Sequence, residues 1–211
     1  MIGPVDGGSS LDGLNAELEG SLVRLEPLDA RHEAGLVEAS RDPVIWKWLL
    51  LPGAPPTPAA IAGWLEQSLT DSAAGRECAF ATIWRATGRV IGSTRFMALR
   101  PEHRGLEIGW TWLESASWGT GANVEAKLLM LDHAFGRVGC IRVEFKTDAR
   151  NERSRAALGA LPASFEGILR NHMVMPYGLR DSAYYSVIPD DWPAVRANLR
   201  DRLERAAARH S

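Results

Sequence analysis

Trp118-Gly119-Thr120-Gly121-Ala122-Asn123 is the segment of this chain whose residue types and spacing point most directly to chemistry. Two glycines precede a run with helical apolar spacing, so a helix opens straight out of the loop. The first turn of a helix leaves N–H groups without intrahelical partners and carries a partial positive charge. A glycine loop at that end suits a phosphate or pyrophosphate and points to a nucleotide-type cofactor. Just upstream, residues 105–113 alternate as a strand. Leu106, Ile108, Trp110 and Trp112 share one face, expected toward the core, while Glu107, Gly109 and Thr111 make a small polar face that can border a cleft. No Cys/His spacing suits zinc. Cys78 and Cys140 sit in apolar stretches and read as buried thiols of a reducing compartment, with neither a disulfide nor an activated nucleophile in prospect.

The elements that must position these residues follow from periodicity and punctuation. Residues 1–19, rich in Gly, Ser and Asp, read as a loose arm. Residues 20–28 alternate as a strand, and Asp29 caps a helix to about Ser40. The run Val44–Leu51 leads into a Pro/Gly loop, after which Thr57 caps a helix with Ile61, Trp64, Leu65 and Leu69 on one face. Residues 78–84 and 90–99 form a hairpin, followed by the 105–113 strand. The helix after the glycine loop carries Val124, Leu128, Leu131, Phe135 and Val138 as an apolar stripe, with Gly139 as its cap. A strand at 141–147, a helix from Asn151 to about Leu161, and strands at 165–173 and 183–188 come next. A terminal helix opens at Asp190-Asp191-Trp192-Pro193, with Val195, Leu199 and Leu203 inward and its arginines on a solvated face.

The chain has 211 residues, 45% hydrophobic and 24% charged, with a net charge of -2. That suits one large single-core domain over residues 20–211 and gives no bulk-charge sign of nucleic-acid binding. The N-terminus lacks a signal-peptide pattern, and no segment approaches the roughly 18 apolar residues of a membrane span. The expected setting is cytoplasmic. The expected fold is α+β, with a mixed, mostly antiparallel sheet flanked by helices and one parallel βαβ unit around residues 105–147.

In order and spacing, several segments together resemble the GNAT superfamily of acyl-CoA N-acyltransferases, in particular its RimJ/RimL-like branch, whose named members acetylate N-terminal amines of ribosomal proteins. They are residues 22–28 (LVRLEPL), 106–113 (LEIGWTWL), the glycine loop with Glu125-Ala126-Lys127, 151–158 (NERSRAAL) and 165–170 (FEGILR). The resemblance runs from about Ser21 to the C-terminus. It implies acetyl-CoA as cofactor and a primary amine as acceptor, either a peptide N-terminus or a small amine. It puts Trp112 and Leu113 beside the pantetheine arm through main-chain groups, and the backbone of Gly119, Thr120, Gly121, Ala122 and Asn123 around the pyrophosphate. Asn151 carries over as a polar contact to the pantetheine arm and Ser154 as a residue near the thiol. The chain departs from the pattern in two places. The loop has Trp118 and Asn123 where the family loop begins with Gln or Arg and ends in Gly or Ala, and Pro162 stands where a glycine usually caps the helix, so that turn is expected to differ.

Within that resemblance Glu107 is the candidate general base, because aminolysis of a thioester needs a neutral amine and an ammonium must first lose a proton. A glutamate merely paired with an arginine is the bland alternative. Ser154 could serve the leaving thiolate or bond its own helix backbone; Asn151 could be an N-cap, a ligand, or both. Trp46 and Trp48 lie where the family builds its acceptor pocket, with core packing as the alternative. His172 and Tyr177 border the late hairpin and are further acceptor-site candidates. His32 and His103 read as loop or surface positions without a motif. A CoA-binding module without turnover is the competing class. Exposed sheet edges leave a homodimer open.

Overall fold

The structure is a computed structural model and describes residues 11, 13–49 and 55–209. The N-terminal ten residues and most of the Pro/Gly loop after Leu49 lie outside that range.

Alternating apolar residues build the sheet. In chain order its strands are β1 (Leu18–Glu19), β2 (Val23–Pro27), β3 (Cys78–Trp84), β4 (Val90–Arg100), β5 (Gly105–Leu113), β6 (Arg142–Asp148), β7 (Ser164–Met175) and β8 (Gly178–Val187). They lie side by side in the order β1-β2-β3-β4-β5-β6-β8-β7. Only β5 and β6 are parallel, joined through a crossover helix, and the other neighbours run antiparallel. Successive residues of β3 show how the two faces divide. Phe80 belongs to one apolar cluster, and Ala79, Ala81 and Ile83 to another.

The helices cover both faces. α1 (Glu33–Ala39) and α2 (Pro58–Ala73) close the cluster that holds Trp46 and Trp112. Thr57 caps α2 by accepting from the Ala60 N–H, Pro58 takes the first turn, and Ile61, Trp64, Leu65 and Ser68 form the buried stripe. α3 (Ala122–Asp132), α4 (Glu152–Ala160) and α5 (Trp192–Ala208) contribute to the other cluster. The inward face of α3 is set by Ala122, Ala126, Met130 and Leu131. Val124 and Leu128, expected on that stripe, are only half-buried at its flank. The stretch His133–Val138 widens to a π-helical turn before Gly139 ends it at φ 74°.

Three expectations are corrected. Part of the presumed loose arm is packed: Leu14 is 2% exposed, β1 pairs with β2, and the Gly13 carbonyl lies 2.8 Å from His133 Nε2. His32 is buried, its Nδ1 accepting from the Asp29 N–H in a capping box and its Nε2 lying 3.1 Å from Glu26. The helix predicted from Asp29 begins as a 3₁₀ turn, Ala30–His32. The turn after α4 differs from a glycine-capped one, as expected: the Ala163 N–H donates to the Leu158 carbonyl at 3.2 Å, and the second N–H bond is missing because Pro162 has no N–H.

Candidate active site

β5 and β6 are hydrogen-bonded only over Gly105–Glu107 and Arg142–Glu144, and then part. From Ile108 onward no strand pairs with the β5 backbone on that side among the described residues; the Gly109 and Leu113 carbonyls accept from the Thr111 hydroxyl at 3.5 Å and the Trp118 indole N–H at 3.0 Å. On its other side β5 carries a bulge. Ser93 pairs with Trp112 and Arg95 with Gly109, so Trp110 and Thr111 together face Thr94. Trp110 takes φ 47°, a left-handed conformation uncommon for a bulky residue. Arg95 braces it. The guanidinium carbon lies 5.2 Å from the Trp110 ring and 5.3 Å from Trp64, and the group is bonded to Glu77 at 2.6 and 2.8 Å.

The bulge reverses the face assignment beyond Gly109, which corrects the simple alternation. Leu106 and Ile108 pack with Leu113 in the α3-side cluster, while Trp112 lies in the other, its ring 5.0 Å from Trp46 and 6.1 Å from Trp64. Thr111 turns toward α3. Its hydroxyl lies 2.7 Å from Thr94 Oγ1 and accepts from Lys127 Nζ at 2.7 Å. Lys127 is buried among apolar groups, and burial pulls its pKa down to about 7.

A cavity of about 640 Å³ fills the wedge between the parted strands. At one end stands the glycine loop. Gly121 is the N-cap of α3 at φ 99° and makes no side-chain cap bond; the Ala122 N–H donates to the Thr120 hydroxyl at 3.4 Å, and the next N–H groups of the first turn have no side-chain acceptor among the described residues. A Cβ on Gly121 would sit 3.1 Å from Leu22 Cδ1 and 3.2 Å from Ala206 Cβ, so the loop is held between the start of β2 and the C-terminal half of α5. Glu125 fastens the first of these by accepting from the N–H groups of Ser21, Leu22 and Val23 at 2.7–2.8 Å. Gly119, Gly121 and Asn123 line the cavity; Thr120 and Ala122 shape the turn behind it.

Sequence reasoning missed what surrounds this loop. Arg202, Arg205 and Arg209, expected on a solvated face, line the cavity with Arg153 of α4. Among the described residues none of the four has a carboxylate within 4.0 Å. Arg153 stacks its guanidinium 3.5 Å from the centroid of Trp118. The side chain lost from the loop at Trp118 is thus answered by a cation from the next helix. The spacing of 202, 205 and 209 along one helix face was legible; that the face meets the loop was not.

At the other end lie Glu107, Lys146, Asp148, Arg180, Trp48 and Met173. Glu107 is 4% exposed and 3.2 Å from Lys146 Nζ. Burial raises its pKa, opposed by the Lys146 charge and hydrogen bond. Burial also raises Asp148, but bonds from the Arg150 side chain and N–H and from the Tyr177 hydroxyl outweigh it and hold the pKa at about 2. Tyr177 meets Trp48 edge-on at 6.3 Å. Asn151 and Ser154 are on the wall, the Asn151 side chain accepting from the Ser154 N–H as the N-cap of α4. Leu113 and Trp112 are on the wall as well.

Three acceptor-site expectations are not brought into the cavity. Trp46 is 3% exposed and occupied with Trp112 and the Ser40 carbonyl. His172 points to Ser182 and Tyr184. Tyr177 does not line the cavity and touches it through Asp148 and the Trp48 ring. Burial lifts Cys78 and Cys140 to about 11, so neither supplies a thiolate.

A model of the acetyltransferase (GNAT) domain matches residues 23–162. The chain belongs to the GNAT family. It is 32% identical to a GCN5-related N-acetyltransferase structure from Brucella melitensis, covering 89% of this chain and 85% of that one at a TM-score of 0.81. It is 41% identical to an inferred acetyltransferase from T. thermophilus, covering 89% and 96% at a TM-score of 0.79. An uncharacterized N-acetyltransferase of Bacillus subtilis (strain 168), YoaA, is 29% identical over 104 residues, 49% of this chain. The match spans 58% of that relative's length. A ribosomal-protein-S5-alanine acetyltransferase from Vibrio fischeri, at 19% identity and a TM-score of 0.68, shares the fold alone. Among the described residues no helix is long and apolar enough to cross a membrane, and no group of three or more His, Cys, Asp or Glu is placed to hold a metal ion.

Proposed function

We propose that this chain transfers an acetyl group from acetyl-CoA to a primary amine, by direct attack in a ternary complex. The observation that carries the reading is the wedge itself. Strands β5 and β6 part beside a glycine-capped helix start rimmed by four arginines that have no carboxylate partner among the described residues. Acetyl-CoA supplies an acyl group already activated as a thioester. The α3 amides together with Arg153, Arg202, Arg205 and Arg209 suit its phosphates. Among the described residues the β5 backbone from Ile108 to Trp112 has no strand beside it toward β6, so it offers ladder groups to an amide-bearing arm, and an N–H at the bulge would stabilise developing oxyanion charge.

Glu107 takes the proton of the acceptor ammonium, directly or through a water; its raised pKa brings it nearer the working range of a base. Among the described residues the Ser154 hydroxyl has no bonded partner, and it is free to donate to the leaving thiolate. Trp48 stands at the acceptor end. A peptide N-terminus rests on the branch resemblance alone, and a small amine is the other acceptor the reading admits.

The test is calorimetry of acetyl-CoA with wild type and Gly119→Glu. Nothing lies within 4 Å of a Cβ at Gly119, so the carboxylate meets no neighbour, but the φ of 77° strains any side chain there, and the denaturation midpoint measured beside the affinity separates added charge from a distorted loop. Micromolar-range binding, weakened at least tenfold in the variant, is expected. A folded wild-type protein that binds no acetyl-CoA refutes the assignment. Binding without turnover across an amine panel supports the CoA-binding module instead.

A further inference from the structure

Matching each cation at the acceptor end of the cavity to its counter-ion leaves one over. Lys146 is opposite Glu107 at 3.2 Å, and Arg150 is bonded to Asp148. Arg180, on β8 across from Met173, has no such partner. It is 7% exposed, and its Nε is buried without a hydrogen bond. Among the described residues its side chain makes no ion pair or hydrogen bond at all, yet it lines the cavity with Glu107 and Lys146. Its field is felt by Glu107, His172, Tyr177 and Tyr184. A nine-tenths buried guanidinium is costly when nothing neutralises it. The groups around it are already committed: Asp148 to Arg150 and Tyr177, Glu144 to Arg100 and Arg142.

Resting on the acetyl-transfer reading, we propose that Arg180 receives a carboxylate carried by the acceptor, so that the acceptor is a compact zwitterionic amine of the amino-acid class. Its ammonium lies toward Glu107 and its carboxylate toward Arg180. The planar fork of a guanidinium matches a carboxylate with two parallel bonds. Charge counting selects a monoanion over a phosphate dianion: one cation is unpaired, and the carboxylates of Glu107 and Asp148 repel further negative charge. A peptide N-terminus lacks the carboxylate next to its amine.

The test compares kcat/KM for free amino acids, their carboxamides and tripeptides with the same first residue, using wild type, Arg180→Met and Arg180→Lys. Wild type should prefer each acid over its amide by at least about tenfold, the range of a charged hydrogen bond. The preference should vanish in Arg180→Met and return in part in Arg180→Lys, with the acetyl-CoA Kd unchanged in both. Calorimetry of the acids with the CoA-bound protein should show the same loss without any turnover. Equal use of acids and amides by wild type, or better use of tripeptides, overturns the subsite while leaving the acetyltransferase reading intact. That comparison needs no variant to fold. Absence of acetyl-CoA binding overturns both.

Discussion

Replacing Lys127 with methionine should stabilise this protein, and by an amount that depends on pH. Lys127 is 8% exposed, bonded only to the Thr111 hydroxyl at 2.7 Å, and 6.0 Å from the Phe145 ring, with no carboxylate within 4.0 Å among the described residues. Burial lowers its pKa from 10.5 to about 7 in the fold. Above the unfolded pKa both states are neutral and the residue costs nothing through titration. As pH falls from there to about 7, the unfolded chain gains a proton that the folded chain refuses, so the fold loses stability. Below the folded pKa both states are charged and the cost levels off. A shift of that size corresponds to about 4 kcal/mol at pH 7, about 2 kcal/mol at pH 9 and close to zero at pH 11. The lost Thr111 bond returns about 1 kcal/mol of this, and Thr111 keeps Thr94 as a partner. Urea denaturation of wild type and Lys127→Met at pH 7, 8, 9 and 10 measures it. The variant should be the more stable by about 3 kcal/mol at pH 7, with the difference shrinking steadily as pH rises. A pH-independent difference, or a variant less stable at pH 7, refutes the reasoning.

Glu107→Gln should lower kcat/KM by about 10²–10⁴-fold, the usual worth of a positioned base. Because a base acts deprotonated and burial raises the Glu107 pKa, wild-type kcat/KM should climb with pH through a value above the ordinary glutamate range, and the variant should lose that limb. Arg202→Ala combined with Arg205→Ala should weaken acetyl-CoA at least tenfold and flatten the salt dependence of its Kd. The same variant should bind CoA and 3′-dephospho-CoA more nearly alike than wild type does. Gly92→Ala would place a Cβ 2.0 Å from the Trp112 carbonyl oxygen, forcing β4 from β5. A loss of at least about 3 kcal/mol in a denaturation series is expected.

Much of the frame was legible because local chemistry and packing agree there. Thr57 caps α2, Gly139 ends the π-turn, Asn151 caps α4, and β5 spans the residues its alternation predicts. The glycine loop was legible for the same reason, since only positive φ at Gly119 and Gly121 brings the chain into α3 at that angle. What lay hidden depends on contacts between distant segments. The α5 arginines look solvated from their own helix, and only the packing of Ala206 against Gly121 turns them to the loop. Arg180 looks like one more polar residue of an edge hairpin until β8 pairs with β6 and sets it over the cavity.

The bulge at Trp110 and Thr111 is the clearest case, and it also links the two ends of the site. A period-two reading puts Trp110 and Trp112 with Leu106, and nothing local signals the extra residue, since Trp110 holds its left-handed backbone through Arg95 and Glu77 from β4 and the segment before β3. One inserted residue then has two effects. It sends Trp112 into the α1–α2 core and turns Thr111 toward Lys127. Glu107, just before the bulge, lines the cavity where the ladder to β6 ends. Loss of the Arg95–Glu77 clamp should therefore damage the site as well as the fold. In Glu77→Gln the buried Arg95 is left unpaired, so stability should drop by about 3–5 kcal/mol, and acetyl-CoA affinity and kcat/KM of the protein that remains folded should both fall at least tenfold. If stability collapses while the residual folded protein binds acetyl-CoA normally, the clamp serves the core and the bulge is held by other contacts.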